Sequence, residues 1–103
     1  MPYAFIQDVP ANAEIYSMIK ARLGSTTPPG LIAHIVITRE AGLRYVDVWE
    51  TEDAWIQFRD EHVEPAVAEV LAGFGFPHDH SMVVTEQVEV IDVWVGESVA
   101  NIA

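Results

Sequence analysis

The chain contains no cysteine, so no disulfide framework, thiolate metal site or cysteine nucleophile is open to it. Basic residues are almost as scarce. Five Lys and Arg face sixteen Asp and Glu, for a formal net charge of −11. Lys20, Arg22, Arg39, Arg44 and Arg59 are scattered and form no stripe. Neutralising phosphates needs clustered cations, so nucleic acid and an anionic membrane are excluded as expected partners. Long hydrophobic runs are missing too: each is interrupted within about ten residues, short of the about 20 that a bilayer-spanning helix needs. No basic region precedes an apolar stretch at the N-terminus, which argues against a secretory signal. These absences together suit a cytoplasmic protein.

What remains is a chain of 103 residues, half of them apolar. That is one domain's length, and folding can bury roughly 65% of the unfolded surface. The expected division is a folded domain over 1–96 and a loose tail over 97–103.

Tyr3–Asp8 is a short apolar run ended by Pro10, which predicts a first strand. Asn12 is placed as an N-cap, Ile15, Met18, Ile19 and Leu23 recur at helical spacing, and Gly24 closes the helix. Pro28 and Pro29 make 25–30 a loop. Leu31–Arg39 and Leu43–Glu50 read as two strands of a hairpin turning through Glu40, Ala41 and Gly42. Thr51 then caps a second helix, with Glu52 and Asp53 in its first turn. Trp55, Phe58, His62 and Ala66 share one face of that helix. Pro65 predicts a kink or break near 63–65. A loop over 73–80 leads to a long last strand, Met82–Val95.

The order β-α-β-β-α-β is α+β and ferredoxin-like, with a four-stranded antiparallel sheet covered by helices on one face. The other face carries too many large apolar side chains to meet water. A homodimer burying it is the expected assembly.

The stretches GLIAHIV at 30–36, DVWETEDAW at 47–55 and FRDEHVEPAV at 58–67 carry a resemblance. They resemble the dimeric α/β-barrel superfamily, which includes antibiotic-biosynthesis monooxygenase-like and haem-degrading proteins. Within it they are similar to a bacterial branch with a Gly-Leu-Ile-x-His strand and an Asp-Val-Trp-Glu hairpin arm. The resemblance implies a dimeric barrel. The superfamily holds oxygenases, isomerases and haem binders, so it does not select one activity.

His34, Asp47 and Trp49 form the main chemical constellation. With Ala41 and Gly42 as the loop, Glu40 pairs with Leu43, His34 faces Trp49 and Val36 faces Asp47, all on one side. With Glu40 also in the loop, the register slips by one and His34 leaves that face. In the first arrangement Asp47 orients His34 as a general base. Otherwise His34 is a core histidine and Asp47 a solvent-edge carboxylate.

Tyr45, Trp49, Trp55, Phe58 and His62 are the expected substrate-binding walls, although a helical stripe such as the last three also serves as plain core. The haem-degrading relatives carry an Asn on the first strand, where this chain has Gln7, and a wider Trp-to-His spacing than Trp55 to His62. No cofactor is expected, with haem binding left open. His78-Asp79-His80 has metal-binding atoms, but no third ligand lies nearby, so no metal site is expected.

Two functions fit. One is a cofactor-independent, monooxygenase-like enzyme acting on a small aromatic or enolisable compound. In that chemistry the protein supplies a base, a dry cavity and aromatic walls. The other is a non-catalytic protein binding a small molecule or haem in the same pocket.

Overall fold

A computed structural model describes residues 2–75 and 83–94. Strand β1 (Tyr3–Val9) leads to helix α1 (Ala13–Leu23), then to the hairpin of β2 (Leu31–Arg39) and β3 (Gly42–Trp49). Helix α2 (Glu52–Phe58) runs through a π-helical turn (Arg59–Val63) into α3 (Glu64–Gly73), and β4 (Val84–Val88) closes the sheet. All strand pairs are antiparallel, in the order β2-β3-β1-β4. This is the expected α+β ferredoxin-like arrangement.

The helix starts follow local chemistry. Asn12 Oδ1 accepts from Ile15 N at 2.8 Å, and Thr51 Oγ1 accepts from Ala54 N at 3.1 Å. Each cap satisfies a donor that the first helical turn leaves without a partner. On the far side of α1, Ile19 packs with Ala66 and Val70 of α3, flanked by Ile15, Met18, Leu23 and Val67. Arg22 and Glu69 add an ion pair at 3.2 Å across the same helices.

The hairpin register differs from both expected ones. Arg39 pairs with Gly42, so only Glu40 and Ala41 turn, and His34 lies directly opposite Asp47. Gly42 can join the strand because it has φ +148° and because a Cβ there would collide with the Val9 carbonyl oxygen at the end of β1. The shift from the first expected pairing is two residues, and with a side-chain period of two His34 therefore keeps its face. At the other end a bulge between Leu31 and Ala33 adds one residue to β2. It turns Leu31 onto the same face as His34, which an unbulged strand would not do.

One further expectation is corrected. The last strand has five residues, not the whole of 82–95, and Ile91 and Trp94 lie beyond it almost fully exposed. Among the described residues its partner is β1. Val84 opposite Asp8 and Val88 opposite Ala4 use nearly all of that strand, and Pro2 beyond it has no N–H to offer. Met82, Val95 and the tail 97–103 lie outside the described residues.

The irregularity expected near Pro65, a kink or break, takes the form of a π turn over Arg59–Val63. Pro65 lacks an N–H and its ring would clash with the carbonyl of Glu61. The helix widens by one residue ahead of it, and Glu64 N–H donates to Arg59 O, five residues back. Among the described residues no helix is long and apolar enough to cross a membrane.

The Thr51 cap is exposed and makes one well-formed bond. Thr51→Ala should lower stability by about 1 kcal/mol in urea unfolding. A change within error would show that the helix start is held by other groups.

Candidate active site

A cavity of about 120 Å³ lies between the sheet and the helices. Phe5 and Gln7 of β1, Leu31 and His34 of β2, and Tyr45, Asp47 and Trp49 of β3 form its floor. Tyr16, Ile19, Lys20 and Leu23 of α1 and Trp55, Phe58, Val63 and Val67 from the second helical stretch close it from above. An engineered hydrophobic cavity of about 150 Å³ admits benzene, so this space suits one ring rather than a polycycle.

The floor follows from strand alternation: odd positions of β1 and β3 face the helices, and the register brings His34 in beside them. The roof follows from the π turn. An unbroken α-helix would continue the stripe of Trp55 and Phe58 through His62 and Ala66. The extra residue passes that line to Val63 and Val67, while Ala66 turns into the α1–α3 core.

His62 is therefore not part of this cavity. Its ring packs on Phe58, 5.4 Å between centroids, over a separate outer depression of about 500 Å³ that Glu50, Gln57 and Glu61 also line. The expected grouping of His62 with the walls is corrected accordingly.

Asp47 is the pivot of the floor. It is 4% exposed, and a buried carboxylate needs partners for both oxygens. Oδ1 accepts from His34 Nδ1 at 2.7 Å, and Oδ2 accepts from Trp49 Nε1 at 3.1 Å. A carboxylate can only accept, so His34 Nδ1 carries a proton, and in the neutral ring Nε2 presents a lone pair. That lone pair meets the Tyr16 hydroxyl at 2.8 Å. The His34 side chain is 27% exposed.

Aromatic rings complete the walls. Trp49 tilts against Trp55 and Phe58 at 5.6 Å each, and Trp55 against Phe5 at 4.9 Å. Tyr45 tilts against both Tyr16 and His34, at 5.6 and 5.7 Å.

Of the residues singled out from the sequence, His34, Asp47, Tyr45, Trp49, Trp55 and Phe58 come together here. Tyr16 was not among them. The signal that could have found it is a second stripe on α1, Tyr16, Ile19 or Lys20, and Leu23, one position off the apolar stripe that reads as core.

The site is a poor match for haem. The inner cavity falls far below the 300–1,000 Å³ typical of ligand pockets, and both His34 nitrogens are already bonded. The outer depression, beside His62, is lined by carboxylates with no Lys or Arg for the propionates. His78 and His80 lie outside the described residues. Among those described, no three His, Cys, Asp or Glu side chains gather as a metal site.

Comparison with solved structures gives the fold a context. Rv0793 from Mycobacterium tuberculosis has 16% sequence identity and a TM-score of 0.58, over 90% of this chain and 98% of its own. A variant of SnoaB, a cofactor-independent oxygenase from Streptomyces nogalater, has 10% identity and a TM-score of 0.55, over 89% and 95%. An antibiotic biosynthesis monooxygenase matches at 14% identity and a TM-score of 0.56, over 89% and 100%. The chain has the antibiotic-biosynthesis-monooxygenase-like fold. No protein-family model matches the sequence, and no curated protein matches it.

Burial raises the Tyr16 hydroxyl above its usual pKa, with the Asp47 charge adding to it; burial first, then Tyr16 and Asp47, pushes Tyr45 up to about 12. The unfolded chain releases these protons near pH 10 while the folded chain keeps them, so the folded state binds more protons across that interval. Stability should thus be intact below about pH 10 and fall as pH rises toward about 12. Ultraviolet titration of tyrosinate should show Tyr16 and Tyr45 ionising earlier in Asp47→Asn. Coincident curves would mean that no negative charge sits beside them.

Proposed function

We propose that this protein is a cofactor-independent, monooxygenase-like enzyme acting on a small, single-ring phenol or enolisable compound. The observation that carries this reading is the buried Asp47 carboxylate 2.7 Å from His34 Nδ1, on the wall of an aromatic-lined cavity. Asp47 fixes the His34 tautomer and stabilises the imidazolium that forms when the ring takes up a proton. Tyr45, Trp49, Trp55 and Phe58 orient the substrate ring and keep water out, so that charge developing on the substrate is held by the protein.

The reaction needs no bound cofactor, because a deprotonated electron-rich ring can itself reduce dioxygen. A phenol and dioxygen give a quinone and water, with one oxygen atom entering the ring. That SnoaB shares the fold and is a cofactor-independent oxygenase supports the reading. The fold alone would not, since unrelated activities share it.

We infer further that two copies associate through the sheet face opposite the cavity. On that face Ile35 and Ile37 of β2 stand 52% and 45% exposed, and Val84 of β4 stands 65% exposed. A two-fold contact of at least about 1,000 Å² would cover them. Light scattering at micromolar concentration should give twice the chain mass; a monomer mass would remove the dimer without touching the cavity.

The enzymatic reading is tested by dioxygen uptake with single-ring phenols such as hydroquinone. His34→Gln keeps an amide donor for Asp47 and removes the base, so uptake should fall by about 10²-fold or more with the fold intact. Uptake by neither protein, with ring compounds still bound, would favour a binding protein.

A further inference from the structure

The His34 ring has no free lone pair to offer a substrate. A neutral imidazole has one donor and one acceptor nitrogen. Asp47 uses the donor at 2.7 Å, and the Tyr16 hydroxyl uses the acceptor at 2.8 Å. The Tyr16 oxygen, by contrast, keeps its own acceptor capacity and belongs to a residue lining the same cavity. Its ring lies over His34 at 6.1 Å with 24° between planes and is braced by Tyr45 at 5.6 Å. Tyr16 thus both bonds the imidazole and lines the cavity.

Resting on the oxygenase reading above, we propose that Tyr16 is the catalytic residue that exchanges the proton with the substrate, and that the substrate presents a ring hydroxyl to it. The substrate O–H proton passes to the Tyr16 oxygen as the Tyr16 proton passes to His34 Nε2. Two O–H bonds break, one O–H and one N–H bond form, and the electron pair of the substrate O–H bond stays on its oxygen. The products are a phenolate, a neutral Tyr16 and an imidazolium paired with Asp47.

Tyr16 carries no net charge before or after the transfer. That is what its surroundings require, because burial and the Asp47 charge both oppose a tyrosinate there. The relay also explains the substrate class: a carbon acid would need a stronger, directly exposed base, whereas a phenol matches the tyrosine hydroxyl in acidity and geometry.

Three measurements on the full chain test this. In ¹⁵N spectra of the ligand-free protein, Tyr16→Phe should move the His34 Nε2 resonance downfield, toward an unbonded acceptor, while Nδ1 stays protonated. Phenol, titrated as a probe, should bind Tyr16→Phe about tenfold more weakly than wild type, and anisole should not distinguish the two. With hydroquinone, Tyr16→Phe and His34→Gln should each lose about 10²-fold in kcat, and the double variant should lose no more than the worse single one, because both serve one transfer.

An unmoved Nε2 resonance or equal phenol affinity overturns the proposal. So does hydroquinone uptake by Tyr16→Phe within about threefold of wild type, or losses that multiply in the double variant. If no form consumes dioxygen, the oxygenase reading fails, and the resonance and phenol binding still decide the role of Tyr16.

Discussion

The buried Asp47 carboxylate constrains more of this molecule than any other group. A charge enclosed in a small aromatic core is expensive unless both oxygens are bonded, and removing one partner from such a pair is more damaging than never having built it. Here His34 and Trp49 each take one oxygen. The first bond links β2 to β3 where His34 and Asp47 stand opposite each other and sets the imidazole tautomer. The second fixes the Trp49 ring, and through it the Trp55 and Phe58 rings that lean on it. Imidazole orientation and cavity wall thus share one cause.

The roof depends on a second constraint, the missing N–H of Pro65. Widening the helix by one residue lets the chain pass the proline without losing its course, and it divides the helical surface. Ala66 and Val70 go to the α1–α3 core, Val63 and Val67 go to the cavity, and His62 is left outside against Phe58. Single-turn π insertions often occur at functional sites, and here the consequence is concrete: one histidine of the stripe is withheld from the pocket.

The fold is shared with a protein only 10% identical to this chain, so architecture places few demands on individual residues. Set into that architecture here is the hydrogen-bonded series Tyr16–His34–Asp47–Trp49. Its four members come from α1, β2 and β3, and each bonds a polar atom of the next.

Element order and helix caps were legible in the sequence, and one of its two candidate registers put His34 and Asp47 on the same side of the sheet. They rest on local chemistry: Asn12 and Thr51 reach donors three residues away, and strand alternation assigns faces wherever the register is right to within an even number of residues. The exact pairing was not legible, because it depends on Gly42 passing close to the Val9 carbonyl, a contact between residues far apart in the chain. The length of β4 depends in the same way on where β1 runs out, and the fate of His62 on how the helix absorbs Pro65. Tyr16 joins the site only because α1 crosses the sheet with that stripe downward. Local spacing determined which residues could meet; the packing of helices on the sheet decided which ones did.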